Sequence, residues 1–270
     1  MAEVNKPIYR LKPRSGLAVQ YAAIRALFLR EFQTRFGHYR LGYVWAILEP
    51  GMLVFLKLVL FGGIMERAIP YMSYTLFLVN GVLPIRMFMR SSTQSLHAVS
   101  SNRGLLNYRP VMPVDAVIAR ISVEMTLYFG VYSLFMVGLL YFGEPISLSY
   151  LPNLFVCWFL LYIFTFGFAL IMCSLGDFSK EVAKFVSSFF IIFYLMSGVM
   201  FSINNVPVQF HPYLLWNPLL HCLEFMRHAV SPEYPVTYVS FNYLLISTLV
   251  VLFTGLLIYK SRERIMLTSK

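Results

Sequence analysis

Charge is what this chain has least of. Asp, Glu, Lys and Arg make up 13% of its 270 residues, and only 12 of them are acidic. With 59% of the sequence apolar, that scarcity excludes an ordinary soluble fold, which could not bury so much hydrocarbon surface. Three cysteines are too few, and wrongly placed, for a disulfide framework. Cys157 and Cys173 would share one helix, about 24 Å apart at about 1.5 Å per residue, and Cys222 would face the outer side alone. There is no G-x-x-x-x-G-K-[ST] phosphate-cradling loop, which excludes ATP hydrolysis by that route. No Ser/His/Asp or paired-carboxylate arrangement supports an enzyme. The N-terminal residues are basic and polar with no apolar core, so no cleaved signal peptide is expected; the first apolar stretch would serve as insertion signal.

What the chain has is long apolar runs. Six stretches, at residues 41–61, 72–89, 114–142, 151–175, 182–201 and 243–259, approach or exceed the about 20 helical residues that cross a hydrocarbon core. Lys6, Arg10, Lys12, Arg14, Arg25, Arg30, Arg35 and Arg40 precede the first stretch. Arg90, Arg103 and Arg109 follow the second, Lys180 and Lys184 the fourth, and Lys260, Arg262, Arg264 and Lys270 the last. The opposite side keeps only Arg67 and Arg227. The positive-inside rule then puts both termini in the cytoplasm. The net charge of +10 reads as topology plus attraction to anionic lipid, not nucleic-acid binding.

Between and before the spans, the pattern predicts further elements. Leu17, Tyr21, Ile24, Phe28, Phe32 and Phe36 recur every three or four residues, as in an amphipathic helix lying in the membrane interface, with Arg35 intruding on its apolar side. A helix of a soluble N-terminal domain is the alternative, disfavoured because so short a segment cannot form a core. Glu49-Pro50-Gly51 should kink the first span. Residues 91–102 read as a short helix stopped by Gly104, followed by an extended prolyl return over 108–113. The segment 202–240 carries Pro207, Pro212, Pro218, Pro232 and Pro235 among many aromatics. It is too broken for a seventh span, which would also put the basic tail outside. Two short helices dipping into the outer leaflet fit better. The expected fold is therefore all-α and integral to the membrane: six transmembrane helices, an N-terminal amphipathic interfacial helix and a re-entrant helical hairpin before the last span.

Polar residues inside spans carry the functional information. Glu49 and Glu124 are the acids well inside, and Glu124 lies one turn from Arg120, an i,i+4 spacing that would neutralise both. So few acids make a proton-coupled carrier a weak alternative. His221, Glu224 and His228 would share a helical face, a thin basis for a metal site. Lys57, Arg86 and Arg120 are costly in lipid and should face a partner, water or headgroups; Arg86 and Arg90 lie near enough to a span end to snorkel.

Two runs, Arg40-Leu-Gly-Tyr-Val-Trp-Ala-Ile-Leu-Glu-Pro50 after a basic helix and Asn217-Pro-Leu-Leu-His-Cys-Leu-Glu-Phe-Met-Arg227 before the last span, resemble permeases of the ATP-binding-cassette-2 type exporter family. The six-span layout agrees over essentially the whole chain. Arg109-Pro-Val-Met-Pro-Val-Asp-Ala-Val-Ile-Ala-Arg120 is most similar to the capsular-polysaccharide permeases, cousins of the O-antigen and teichoic-acid exporters.

The resemblance implies a transmembrane subunit that moves lipid-linked polysaccharide from cytoplasm to periplasm across a bacterial inner membrane. It implies a homodimer with two cytoplasmic ATPase subunits, which hold the ATP and Mg, so this chain needs no cofactor. A periplasmic polysaccharide co-polymerase and an outer-membrane channel are the further partners expected, besides membrane lipids. The domains would be a cytoplasmic segment 1–40, a transmembrane domain 41–260 and a tail 261–270. Within them, 91–103 would be the coupling helix, with Ser91, Gln94, Leu96, His97 and Asn102 toward the ATPase. A periplasmic gate over 203–238 would use Trp216, Asn217, Pro218, Glu224 and Arg227, the last two paired. A sliding sugar polymer would meet ring faces, for which Phe185, Phe189, Phe193, Phe190 and Tyr194 are candidates, as are Phe155, Trp158, Phe159, Tyr162 and Phe166. Lys57, Arg86 and Arg90 would contact an anionic glycolipid. A stand-alone secondary transporter remains the reading from another class.

Overall fold

The computed structural model describes residues 15–36, 42–67, 69, 71–106, 111–178 and 182–268. These residues form α-helices joined by turns and two short 3-10 segments, with no strand among them. Lys6, Arg10, Lys12, Arg14, Arg40, Arg109, Lys180 and Lys270, which carry part of the orientation argument, lie outside the described residues, as do 108–110 of the prolyl return.

The bundle is built around one helix. α3 (Tyr74–Ser95) touches α2 (Gly42–Met65), α5 (Pro113–Tyr141), α6 (Leu151–Phe178), α7 (Val182–Met196) and α9 (Pro218–Val230). Leu76, Phe77, Leu78, Val79, Leu83 and Ile85 are all buried there. A helix wrapped by other helices needs no lipid-compatible surface, so polar residues are admissible if they find partners. Asn80 does: its Nδ2 donates to Leu76 O at 2.8 Å and its Oδ1 accepts the Tyr132 hydroxyl at 2.8 Å. Arg86, Arg90 and the polar last turn are carried on the same helix.

Four helices are long and apolar enough to cross a membrane by length and composition among the described residues. They are α2 over Ile47–Ile64, α5, α6, and α10 (Phe241–Thr268) over Phe241–Leu267. α3 misses that standard through its polar residues, and the 15 residues of α7 reach only about 22 Å. Each expected stretch nonetheless has its helix, with ends shifted by up to nine residues.

α10 packs along α6. The contact is close because Gly167 has no side chain: a Cβ there would lie 2.5 Å from Leu252 Cα. Small residues let membrane helices approach in this way.

The N-terminal helix differs from its expected pattern. α1 (Gly16–Phe36) docks on α5, with Leu27 buried against Ala116 and Ala119. Leu17 and Tyr21, from the expected apolar stripe, are 80% and 69% exposed. The inward face instead includes Gln20, Leu27, Glu31 and Arg35, a mixed set whose polar members pair with α5. Hydrophobic periodicity missed this face because ion pairs carry part of it.

The predicted helix over 91–102 is also redrawn. α3 runs on through Ser95, the chain turns at Leu96 and His97, and α4 (Ala98–Leu106) continues past Gly104. The turn packs where α6 presents Gly176, whose absent Cβ would overlap the Leu96 carbonyl. Between α7 and α9, the expected first short helix is reduced to two 3-10 segments and the four-residue α8 (His211–Leu214). Gly198, at φ +66°, makes the turn out of α7 in a region L side chains avoid.

Candidate functional site

Three polar centres stand out, and the largest lies where α1, α3, α4 and α5 meet. Glu124 and Arg120 do not pair, although they are one turn apart. Arg120 Nε bonds Glu31 Oε1 at 3.1 Å, and its Nη1 donates to Gln94 O at 2.6 Å. Glu124 Oε1 accepts from Arg35 and, at 2.6 Å, from Gln94 Nε2. Glu31 and Arg35 are themselves four apart on α1, so two possible within-helix pairs are exchanged for two between helices. The exchange joins α1 to α5, which no pair inside one helix could do.

Around this core, Arg30 donates to Asn102 of α4, and Gln20 Nε2 to Asp115 Oδ1 at 3.2 Å. Arg90 Nη1 bonds Glu49 Oε1 of α2 at 2.7 Å, with its Nε 4.0 Å from Glu124 Oε1. Its charge is thus shared between two carboxylates. Of the five expected ATPase-facing residues, Ser91, Leu96 and Asn102 are buried, Gln94 is bound to Glu124, and His97 is exposed. Ser100, Ser101 and Arg103 extend the exposed edge of α4 beyond His97.

The second centre lies between α2 and α7. Lys57 Nζ sits 5.0 Å from the centre of the Tyr194 ring and 3.2 Å from Met200 Sδ. Arg86 is half-buried within electrostatic reach of Lys57 and Tyr194. Among the described residues neither cation has a carboxylate at ion-pair distance, in contrast to Arg90, Arg120 and Arg227.

The expected ring platform divides. Phe189 stacks on Phe193 at 5.6 Å, and Phe185 and Phe189 are exposed. Phe193 also reaches Phe88, which gathers Phe164, Phe168 and Phe190 within 6 Å. Phe155 and Phe159 are exposed, whereas Trp158 is core, edge-on to Phe129 and Tyr132. Tyr162 is half-buried with its hydroxyl 3.1 Å from Ser122 Oγ, and Phe166 packs beside it against the core.

The third centre is the hairpin before α10. Asn217 caps α9 by accepting from Leu219 N at 3.1 Å, and its Nδ2 donates to Ser197 Oγ at 3.0 Å. Pro218 takes the first helical position, where no N–H is needed. Glu224 and Arg227 pair at 2.7 Å with both side chains fully buried. Arg227 Nη2 donates to Gly198 O at 2.8 Å, and the guanidinium lies 3.5 Å from the Phe77 ring centre. Tyr234 donates to Glu224 Oε2 at 2.8 Å and meets Ser202 Oγ at 2.5 Å. The expected pair is therefore the middle of a larger lock that holds α9 to α3 and to the turn after α7. Trp216 points outward and is 56% exposed.

His221 and His228 spend ring nitrogens on backbone: His221 Nδ1 accepts from Ser240 N at 3.0 Å, and His228 Nδ1 lies 2.8 Å from Tyr234 O. Among the described residues no group of three potential ligands is placed to hold a metal ion. Cys222 is not alone as expected; it is buried, with Sγ 3.6 Å from the Cys157 carbonyl.

Sequence reasoning missed Arg35, Glu31, Gln20 and Asp115 as partners, and Tyr234 and Ser202 as members of the lock. The one signal available was Arg35 itself, a cation out of place on an apolar stripe.

The sequence profile of the ABC-2 type transporter family matches residues 22–231, which takes in most of the three centres and leaves Gln20 and Tyr234 just outside. The chain is 44% identical over 256 residues to the polysialic acid transport protein KpsM of Escherichia coli, covering 95% of this chain and 99% of that protein. It is 28% identical to the capsule polysaccharide export inner-membrane protein BexB of Haemophilus influenzae, over 92% of this chain and 94% of BexB. The O-antigen export system permease protein RfbA of Klebsiella pneumoniae is 24% identical over 83% of this chain and 88% of its own length.

Proposed function

The chain belongs to the ABC-2 type transporter family, and from that premise we propose that it is the membrane permease of a capsular-polysaccharide exporter. It is a transport subunit; ATP hydrolysis belongs to a separate subunit. The observation that carries the substrate class is the near end-to-end likeness to a polysialic acid transporter and a capsule exporter. O-antigen export is the second reading, favoured less because RfbA is both less similar and less fully covered.

In this reading six helices cross the inner membrane, with α3 and α7 sheltered by the bundle and by a second copy of the chain. Both termini are cytoplasmic, and two ATPase subunits dock on the His97 edge and on α1. The polymer is carried on a lipid anchor. Lys57 and Arg86 attract anionic groups of that glycolipid, with Arg90 at the entrance, while Phe189, Phe193, Tyr194 and Tyr162 offer ring faces along the path. The hairpin with Trp216, Asn217 and the Glu224–Arg227 lock serves as the periplasmic gate. A periplasmic co-polymerase and an outer-membrane channel take the polymer onward.

The test is export by the reconstituted permease–ATPase complex. Lys57→Ala and Arg86→Ala should each lower exported polymer several-fold while the protein stays in the membrane. Wild-type export by both variants rejects the anion role. Gradient-driven flux by the chain alone, with no ATPase present, would replace the exporter reading with a secondary transporter.

A further inference from the structure

We infer that Glu124 is the positioning residue that makes α1 and the α3–α4 turn move as one body, an inference that rests on the exporter reading above. Glu124 is fully buried at mid-helix on α5. Its Oε1 receives Arg35 from α1 and Gln94 from the last turn of α3, two residues before the turn begins at Leu96. These donors are 89 and 30 residues away in sequence. No local spacing brings them together; the carboxylate does.

The rest of the polar network closes around this point. Arg120, one turn earlier, holds Glu31 of α1 and the backbone carbonyl of the same Gln94. Arg30 of α1 reaches Asn102, so α4 is tied to α1 directly. Gln94 is therefore gripped twice, by side chain and by carbonyl, from two residues that each also hold α1. A displacement of the turn pulls on Gln94, and through Glu124 and Arg120 on Arg35 and Glu31. Among the described residues the buried apolar cluster between α1 and α5 is small, Leu27 against Ala116 and Ala119, so the charged contacts weigh heavily in whether α1 follows. The buried carboxylate is the stiffest member, because leaving any of its donors costs desolvation that water cannot repay there.

The same residue reaches toward α2. Arg90 stands between Glu49 and Glu124, 2.7 Å from the first and 4.0 Å from the second, and among the described residues Glu124 Oε2 has no hydrogen-bond partner. The helix that bears Lys57 is thus one ion pair removed from the junction.

A merely structural ion pair would lower ATP hydrolysis and export together when broken. A positioning role lowers export per ATP hydrolysed. In the reconstituted complex, Glu124→Gln keeps shape and an acceptor for Gln94 but removes the charge that holds Arg35. It should cut polymer exported per ATP about tenfold, in the range of typical site-to-site coupling, and Glu124→Asp should restore part of it. Arg35→Gln, at a side chain 21% exposed, should reproduce the loss, and the double variant should be no worse than either single one. An unchanged export-to-hydrolysis ratio in Arg35→Gln overturns the inference, as do additive losses in the double variant. Failure of the wild-type complex to couple hydrolysis to export would instead sink the exporter reading on which the inference stands.

Discussion

At the scale of single residues, charge decides more than hydrophobicity does. Glu224 and Arg227 were legible from the sequence because both sit on one helix, three apart, and the structure pairs them. Glu124 and Arg120 have an equally good spacing on α5, yet each takes its partner from α1. Spacing along one helix reports which residues share a face, not which opposite charges a distant segment brings to that face. The buried Glu224–Arg227 pair makes a sharp prediction. Arg227→Met leaves Glu224 and Tyr234 without their cation, and breaking such a pair costs about 3–5 kcal/mol. The melting temperature of the purified protein in detergent should fall clearly. Glu224→Gln combined with Arg227→Met removes the stranded charge and should recover most of the loss. A double variant as unstable as Arg227→Met alone would show that packing over Phe77, not charge pairing, holds α9.

Helices were read well as units and less well at their joins. Long apolar runs announced α2, α5, α6 and α10, because lipid-facing surface has to be hydrophobic whatever it packs against. α3 was found for the same reason, although its centre is sheltered and its end is polar. The break at Leu96 and His97 was invisible: Gly104 looked like the helix stop, but a tertiary contact made the turn elsewhere. That contact is specific to Gly176, where α6 meets the Leu96 carbonyl with no room for a Cβ. Gly176→Leu should push the turn away from α6; overpacking of this kind costs about 1–3 kcal/mol, enough to displace a turn without unfolding the bundle. Co-purification of the ATPase with this variant should drop several-fold at unchanged membrane levels. Undiminished co-purification would mean that the His97 edge is not a docking surface.

At the scale of the whole molecule the open point is how many helices cross. Composition alone supports four, α2, α5, α6 and α10, and six requires α3 and α7 as well. Both counts put the two termini on one side, so labelling the ends cannot separate them. The α3 flanks can. If α3 crosses, Glu66 before it and His97 after it face opposite sides; if it does not, they share one. Its 22 residues reach about 33 Å, enough to cross, and its position between α2, α5 and α6 provides the shelter its arginines need. Both flanking residues are exposed, and the three native cysteines are buried, so they add little background to thiol labelling. Glu66→Cys should react with a membrane-impermeant maleimide in intact, outer-membrane-permeabilised cells, and His97→Cys only after the inner membrane is opened. The same labelling at Glu144 and Asn205, which flank α6 and α7 on the outer side of a six-span layout, should follow Glu66. Reaction of His97→Cys from outside would leave α3 as a non-crossing core helix and remove the α3–α4 turn from reach of any cytoplasmic ATPase.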